Sequence, residues 1–317
     1  MNEDLIKFTR CDIFTPNKIS ELMCSKLKPS GNILEPSVGQ GDLLKPLNLD
    51  LYNEIDVYEL KKEYLDKMSP INLEVKINKY NCDFLKQNIE KKYDNIIVNP
   101  PYIRIQDLSP EYRKFLKNTF QILETGLVDI YYAFIIKCID LLKDYGIMVC
   151  ISPNSYLYNK SSLNLRKYLI DNDYIKEIID YKQEKIFDKV SVYCCITIFT
   201  KEKKDYIIYN GNKVYKKNIN KENYSLFILQ NEKLKNGKLK EICKITNGIA
   251  TLRDKIFIHT TKLFDEPCWY NITNGPENKF VIYPYYYDLD SKKILIIEEN
   301  KFKNENPKNI GKKIKMN

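Results

Sequence analysis

The stretch that most constrains the fold of this chain is Tyr93-Asp94-Asn95-Ile96-Ile97-Val98-Asn99-Pro100-Pro101-Tyr102. Ile96, Ile97 and Val98 are β-branched and apolar, the pattern of a strand buried on both faces. The strand must stop at Asn99. Neither following proline donates a ladder hydrogen bond, and each pushes the residue before it out of the helical region. The result is a stiff exit from the carboxyl edge of a sheet, the edge where open α/β sheets bind ligands. That exit offers one side-chain amide, two carbonyls and one aromatic ring.

These groups suit methyl transfer to a planar NH2 group. Such a nitrogen is a poor nucleophile because its lone pair is delocalised. The Asn99 side-chain oxygen and the Pro100 carbonyl can accept its two hydrogens, shifting it towards sp3 and aiming its lone pair at a donor methyl. Tyr102 can stack on a flat base, a role carried by the ring face rather than the hydroxyl. A protein glutamine poses the same chemical problem, so a glutamine N5-methyltransferase is the alternative enzyme. A catalytically idle nucleic-acid-binding relative is the non-enzymatic one.

Three more strand ends fit the same cleft. Asn32 to Leu44 reads as strand, glycine turn and helix, with Glu35 at the strand tip and Gly39 and Gly41 in the turn. A carboxylate at Glu35 is placed for an ammonium or a hydroxyl. Ile55 to Leu60 is a second strand ending in Glu59, about 20 residues after the glycines, where an acid suits a ribose diol. A third strand-like run, Leu73 to Ile77, leads to Asp83-Phe84, an acceptor for an adenine amino group beside a ring that lies flat on it. One polar strand end means little. Glu35, Glu59, Asp83 and Asn99 at four consecutive ends describe one site. Later strands are expected at 146–153, 175–179 and 192–199, with an apolar helix over 127–142. Phe187 precedes the last of them at the same sheet edge.

Composition narrows the chemistry. His259 is the only histidine in 317 residues, which argues against Ser-His or Cys-His catalysis and against histidine-rich metal sites. Nine cysteines without a Cys-x-x-Cys pair suit a reducing compartment and predict no metal site. Cys194 and Cys195, adjacent in a strand, should point to opposite faces. No run approaches the ~18 apolar residues of a membrane span, and Met1-Asn2-Glu3-Asp4 is no signal peptide. A cytoplasmic protein without a membrane partner is expected.

Charge divides the chain. Residues 1–200 carry 27 Lys+Arg against 28 Asp+Glu, whereas residues 201–317 carry 24 against 14, a net of +10. The second part therefore suits a polyanion.

Residues 8 to 200 resemble the gamma-class N6-adenine DNA methyltransferases of restriction–modification systems, of the TaqI-like and Eco57I-like kind. Phe14-Thr15-Pro16 resembles their N-terminal cofactor motif, Glu35-Pro36-Ser37-Val38-Gly39-Gln40-Gly41 their glycine loop, and Asn99 to Tyr102 their catalytic motif. The resemblance implies a Rossmann-like, seven-stranded α/β sheet over 1–203 with helices on both faces. A smaller, β-rich target recognition domain over 204–317 would follow it. It implies S-adenosyl-L-methionine on Thr15, Glu35, Ser37, Gly39, Gly41, Glu59, Leu60, Asp83, Phe84 and Asn99. Asn99, Pro100 and Tyr102 would be catalytic, with Phe187 as the aromatic that closes over a flipped adenine. Duplex DNA is the implied partner, with Arg104 and Arg253 as contacts, alongside a cognate restriction endonuclease or a separate specificity subunit. Duplex binding by the basic region should weaken steeply with salt, because phosphate contacts release counterions. A flat dependence of affinity from low to physiological ionic strength would contradict this.

Overall fold

The computed structural model describes residues 15–68, 76–123, 129–187 and 192–226, with the backbone of five short strands between 258 and 296. Residues 1–14, 69–75, 188–191 and Arg253 lie outside the described residues, so the expectations placed there have no structural counterpart.

Nine strands form one sheet: β1 Gly31–Glu35, β2 Tyr52–Glu59, β3 Lys76–Asn81, β4 Tyr93–Val98, β5 Leu142–Pro153, β6 Ile175–Asp180, β7 Cys194–Thr200, β8 Tyr206–Tyr209 and β9 Asn212–Tyr215. Their order is β3-β2-β1-β4-β5-β7-β6-β8-β9. The pairs from β3 to β5 are parallel, and β7 runs antiparallel between β5 and β6. Sequence neighbours are split at β1 and β4, where the strand order reverses. In a doubly wound sheet, this is the point at which a crevice opens.

The central strands are apolar on both sides, and two clusters bury the two faces. Leu34, Ile96, Val98, Met148 and Cys150 face one cluster with α4 (Ile130–Leu141). Ile33, Ile97, Val149 and Ile151 face the other with Met23 of α1 (Asn17–Ser25). Alternation with a period of two puts helices on both faces, as the sequence pattern requires. Cys195 joins the first cluster and Cys194 the second. α2 (Lys62–Lys67), α3 (Pro110–Thr119) and α5 (Leu163–Asp171) complete the layers.

The sheet is larger than the expected seven strands. β8 and β9 form a hairpin across Asn210-Gly211, both at positive φ, the conformation a tight two-residue hairpin turn demands. β8 pairs in parallel with β6, and its Ile207 and Tyr209 are buried. The segment expected to open a second domain at residue 204 thus completes the first sheet. The chain divides into compact units at Asn231 and Glu232. In the second unit the strands at 258–259, 269–272 and 279–282 form one antiparallel sheet, and those at 285–288 and 293–296 pair antiparallel.

Buried polar groups tie the sheet at its amino edge. Asp56 accepts from Tyr93 Oη at 2.6 Å, Lys91 Nζ at 2.8 Å and Asn78 Nδ2 at 2.6 Å. Asp94 accepts from the Asn32 amide at 2.9 Å beside Gly31, which has φ +97°. A Cβ on Gly31 would lie 2.6 Å from the Asp94 Cβ. Gly31→Ala should therefore cost about 2 kcal/mol or more, combining left-handed strain with overpacking. Urea denaturation reads this, and an unchanged midpoint would refute it.

Candidate active site

The site begins at the glycine turn after β1. Gly39 and Gly41 take positive φ (54° and 84°), so the turn reverses tightly enough for Val38 N to donate to Tyr58 O at 3.0 Å. Glu59, at the tip of β2, accepts from the Gly39 amide at 2.9 Å and from the Lys61 amide at 2.9 Å. One carboxylate thus fixes the turn against the neighbouring strand and still has lone pairs directed at the cleft. Burial raises its pKa above the ordinary carboxylate value.

Glu35 is fully buried, and neither of its carboxylate oxygens has a hydrogen-bond partner. Its pKa is raised well above the usual range, first by burial and then by the charge of Glu59. An unpartnered buried carboxyl costs free energy. A cationic ligand group would satisfy it.

The Asn99 loop is held from three sides. Ser37 Oγ donates to Asn99 O at 3.0 Å, joining the glycine turn to the end of β4. Asn99 Nδ2 donates to Thr15 Oγ1 at 3.1 Å, while Tyr102 Oη donates to Asn99 Oδ1 at 2.8 Å. The amide is therefore oriented, nitrogen towards Thr15 and oxygen towards Tyr102. Burial raises the Tyr102 hydroxyl well above its ordinary pKa and keeps it a donor. Its ring meets Tyr131 edge-on, with centroids 6.1 Å apart.

At the far end, Asp83 caps a 3-10 turn, accepting from Leu85 N at 3.0 Å and from Tyr112 Oη at 2.8 Å. Phe84 stacks on Phe134 of α4, with centroids 5.5 Å apart.

These groups line one cleft. Of the expected residues, Thr15, Glu35, Ser37, Gly39, Glu59, Leu60, Asp83, Phe84, Asn99 and Pro100 line it. Gly41 shapes the turn from outside the lining, against Met68. Tyr102 reaches the site through its hydroxyl. Phe187 is 4% exposed in the apolar cluster with Ile151 and Cys194 and does not line the cleft. Arg104 lies on the surface in an ion pair with Asp107. The run Arg104 to Ser109 contains a short 3-10 turn, Ile105–Asp107.

Sequence reasoning passed over Lys61, Tyr64, Tyr112, Ile130 and Phe134, which also line the cleft. Tyr112 was within reach: Ser109-Pro110 is a helix-start signature, and Ser109 Oγ does accept from Tyr112 N at 3.1 Å. Among the described residues, no group of His, Cys, Asp and Glu is placed to hold a metal ion, and no helix is long and apolar enough to cross a membrane.

The family model of the Eco57I restriction-modification methylase matches residues 21–187, more than half of the chain. The chain belongs to this family. It is 32% identical over 201 residues to the type II methyltransferase M.HincII of Haemophilus influenzae, covering 62% of this chain and 38% of that protein. It is 24% identical over 279 residues to the type II restriction enzyme and methyltransferase RM.Eco57I of Escherichia coli, covering 68% of this chain and 27% of that one. The chain thus spans less than half the length of these family relatives. Among solved structures, it is similar to a putative class I S-adenosylmethionine-dependent methyltransferase of Listeria monocytogenes. That match has a TM-score of 0.52 and 17% identity, over 62% of this chain and 64% of that one. It is also similar to a type I restriction-modification methyltransferase subunit of Streptococcus thermophilus, with a TM-score of 0.50 and 19% identity over 66% of this chain and 50% of that one. These two likenesses show the fold.

The Glu35 carboxyl also sets a stability prediction for this family member. Its folded pKa lies above the ordinary value of 4.5, so its contribution to stability is fully present below that value and is lost as pH rises through the folded pKa. Glu35→Gln should remove that loss and raise stability at neutral pH by about 1–3 kcal/mol. Thermal melts across pH read this, and a variant less stable than the parent at neutral pH would refute it.

Proposed function

We propose that the chain transfers a methyl group from S-adenosyl-L-methionine to the N6 amino group of an adenine flipped out of duplex DNA, as the modification component of a restriction–modification system. The observation that carries this is the oriented Asn99 amide in the same cleft as the unpartnered Glu35 carboxyl. The donor set fits the cofactor. Glu35 and Ser37 would hold its amino-acid end, with Thr15 beside them. Glu59 and Leu60 would hold its ribose, and Asp83 and Phe84 its adenine. When bound, it supplies a methyl group on a positively charged sulfur, whose departure leaves a neutral group.

The chain's own residues supply positioning. Asn99 Oδ1 and the Pro100 carbonyl accept the two hydrogens of the target amino group, and both grow more favourable as that nitrogen becomes positive. The extra proton of the methylated, cationic nitrogen leaves to solvent after transfer, so no general base is needed, which suits a chain with one histidine. Flipping is required because the amino group lies inside the base pair, and it costs a few kcal/mol. Stacking on Tyr102 returns ~1–3 kcal/mol. The basic region after residue 200, carrying 24 Lys+Arg against 14 Asp+Glu, would hold the duplex through phosphates, with Arg253 among its contacts and Arg104 as a further one from the first unit. A cognate endonuclease or a specificity subunit would complete the system in the cytoplasm. Restriction-modification relatives favour DNA over a protein glutamine as the substrate.

Tritiated methyl transfer followed by nucleoside analysis tests this. Label is expected on N6-methyladenine, whereas label on cytosine or on protein glutamine would overturn the reading. Asn99→Ala should abolish turnover and leave cofactor affinity nearly intact, because it removes an interaction made in the transition state. Glu59→Ala should instead weaken cofactor binding by about 1–3 kcal/mol by calorimetry.

A further inference from the structure

Beneath the far end of the cleft lies a lysine that the reading so far leaves unused. Lys137 sits on α4, one turn after Phe134. Its ammonium is partly buried and donates to three backbone carbonyls of one turn: Phe84 O at 2.5 Å, Leu85 O at 3.1 Å and Gln87 O at 2.6 Å. It also lies over the Phe84 ring, 4.7 Å from the centroid. Three donors meet three acceptors, so every proton of the ammonium is used.

That turn is the one that carries Asp83 and Phe84 into the cleft. Its other ties are Leu85 N to Asp83 Oδ1, Lys86 N to Asp83 O, Gln87 N to Phe84 O, Gln87 Nε2 to Asp83 O, and Tyr112 Oη to Asp83 Oδ2. Lys137 links the turn to α4 in parallel with the Phe84–Phe134 stack, so side chain and backbone of Phe84 are both held by one helix. A surface ion pair in this position would add rigidity at any pH below 10. This group is different, because burial lowers its pKa to about 8. The charged and titratable groups around it are Asp83 and Cys82 from the strand-to-turn segment and Cys138 on its own helix; Asp83 favours the ammonium, whereas burial holds both cysteines as neutral thiols. Burial of the lysine outweighs Asp83.

We propose that Lys137 is a positioning residue for the adenine end of the cofactor: its ammonium holds the Phe84–Gln87 turn in the shape that presents Asp83 and Phe84, and affinity falls when it gives up its proton. The inference rests on the cofactor reading above. The neutral amine keeps two N–H donors and turns a lone pair towards the third carbonyl. One of the three bonds becomes a repulsion between acceptors, and the cation over the Phe84 ring is lost. The proton leaves to solvent, and no other group changes state.

The probe is 5′-methylthioadenosine, which carries the adenosine end of the cofactor without its ammonium and carboxylate. Binding to the full chain is measured by calorimetry between about pH 7 and about pH 9.5, a window that brackets the Lys137 titration. Affinity should fall about tenfold across it, the scale set by losing one charge-assisted hydrogen bond. Lys137→Arg, which keeps its charge throughout, should bind with a flat profile. Lys137→Met should bind weakly at every pH, again with a flat profile. A flat profile for the parent protein overturns the inference even if Lys137→Met fails to fold. A pH-dependent Lys137→Arg overturns it too, by assigning the titration elsewhere. Folded parent protein that binds neither this probe nor S-adenosylhomocysteine at about pH 7 overturns the cofactor reading, and this inference with it.

Discussion

The site depends on the pairing of β1 with β4. These strands lie side by side at the centre of the sheet, Ile33 opposite Asn95 and Leu34 opposite Ile96, although more than fifty residues of chain separate them. The glycine turn leaves the end of one, and the Asn99 loop leaves the end of the other. Their relative height is therefore the relative height of the two halves of the cleft. Side chains at the opposite edge reinforce the register. Asn95 is fully buried, accepts from Lys28 N at 2.7 Å and donates to Ser30 O at 2.8 Å, while Asp94 takes the Asn32 amide. A slip of one residue would break all of these and carry Asn99 to the other face of the sheet. At the cleft edge, the Ser37 to Asn99 bond closes the same frame.

This explains which parts were legible in the sequence. A buried parallel strand announces itself as an apolar run, and a polar residue at its tip stands out against it. Glu35, Glu59, Asp83 and Asn99 were found that way, and the sheet brings all four into one cleft. The two cysteines on opposite faces followed from period two alone. What stayed hidden was set by distant contacts. Nothing local in Asp56 says that Lys91, Tyr93 and Asn78 converge on it. The hairpin after residue 203 reads as polar and lysine-rich, because only Ile207 and Tyr209 are buried, and their partner strand β6 lies about thirty residues earlier. Phe187 was placed by its neighbourhood in sequence, but its ring is committed to the core. Tyr112 enters the site from a helix whose start was readable and whose direction was not.

The site also keeps polar atoms in a costly state. Glu35 lies buried without partners, and Glu59 is held by two backbone amides at the price of desolvation. Folding alone would favour neutral, satisfied groups here. A cleft proposed to hold a cation and a diol gains from acceptors already fixed in place, because a ligand then has no side chains left to order. The strain sits beside the glycine turn, where Gly39 at φ 54° brings its amide to the Glu59 carboxylate.

Tyr102 shows how far such preparation extends. Read from sequence, its ring face was the useful part, yet its hydroxyl donates to Asn99 Oδ1. An amide oxygen has two lone pairs, and Tyr102 takes one. The hydroxyl and Thr15 together leave the amide a single orientation before any substrate arrives. An amide free to turn would present nitrogen as often as oxygen, and its donor hydrogens would repel the amino group they are meant to receive. The hydroxyl also withdraws electron density from the oxygen and so weakens it slightly as an acceptor. At about 1 kcal/mol per neutral hydrogen bond, that loss is smaller than the gain from excluding the wrong orientation. Orientation is thus the larger effect, and it follows from two side chains, Thr15 and Tyr102, that flank Asn99 from opposite ends of its amide.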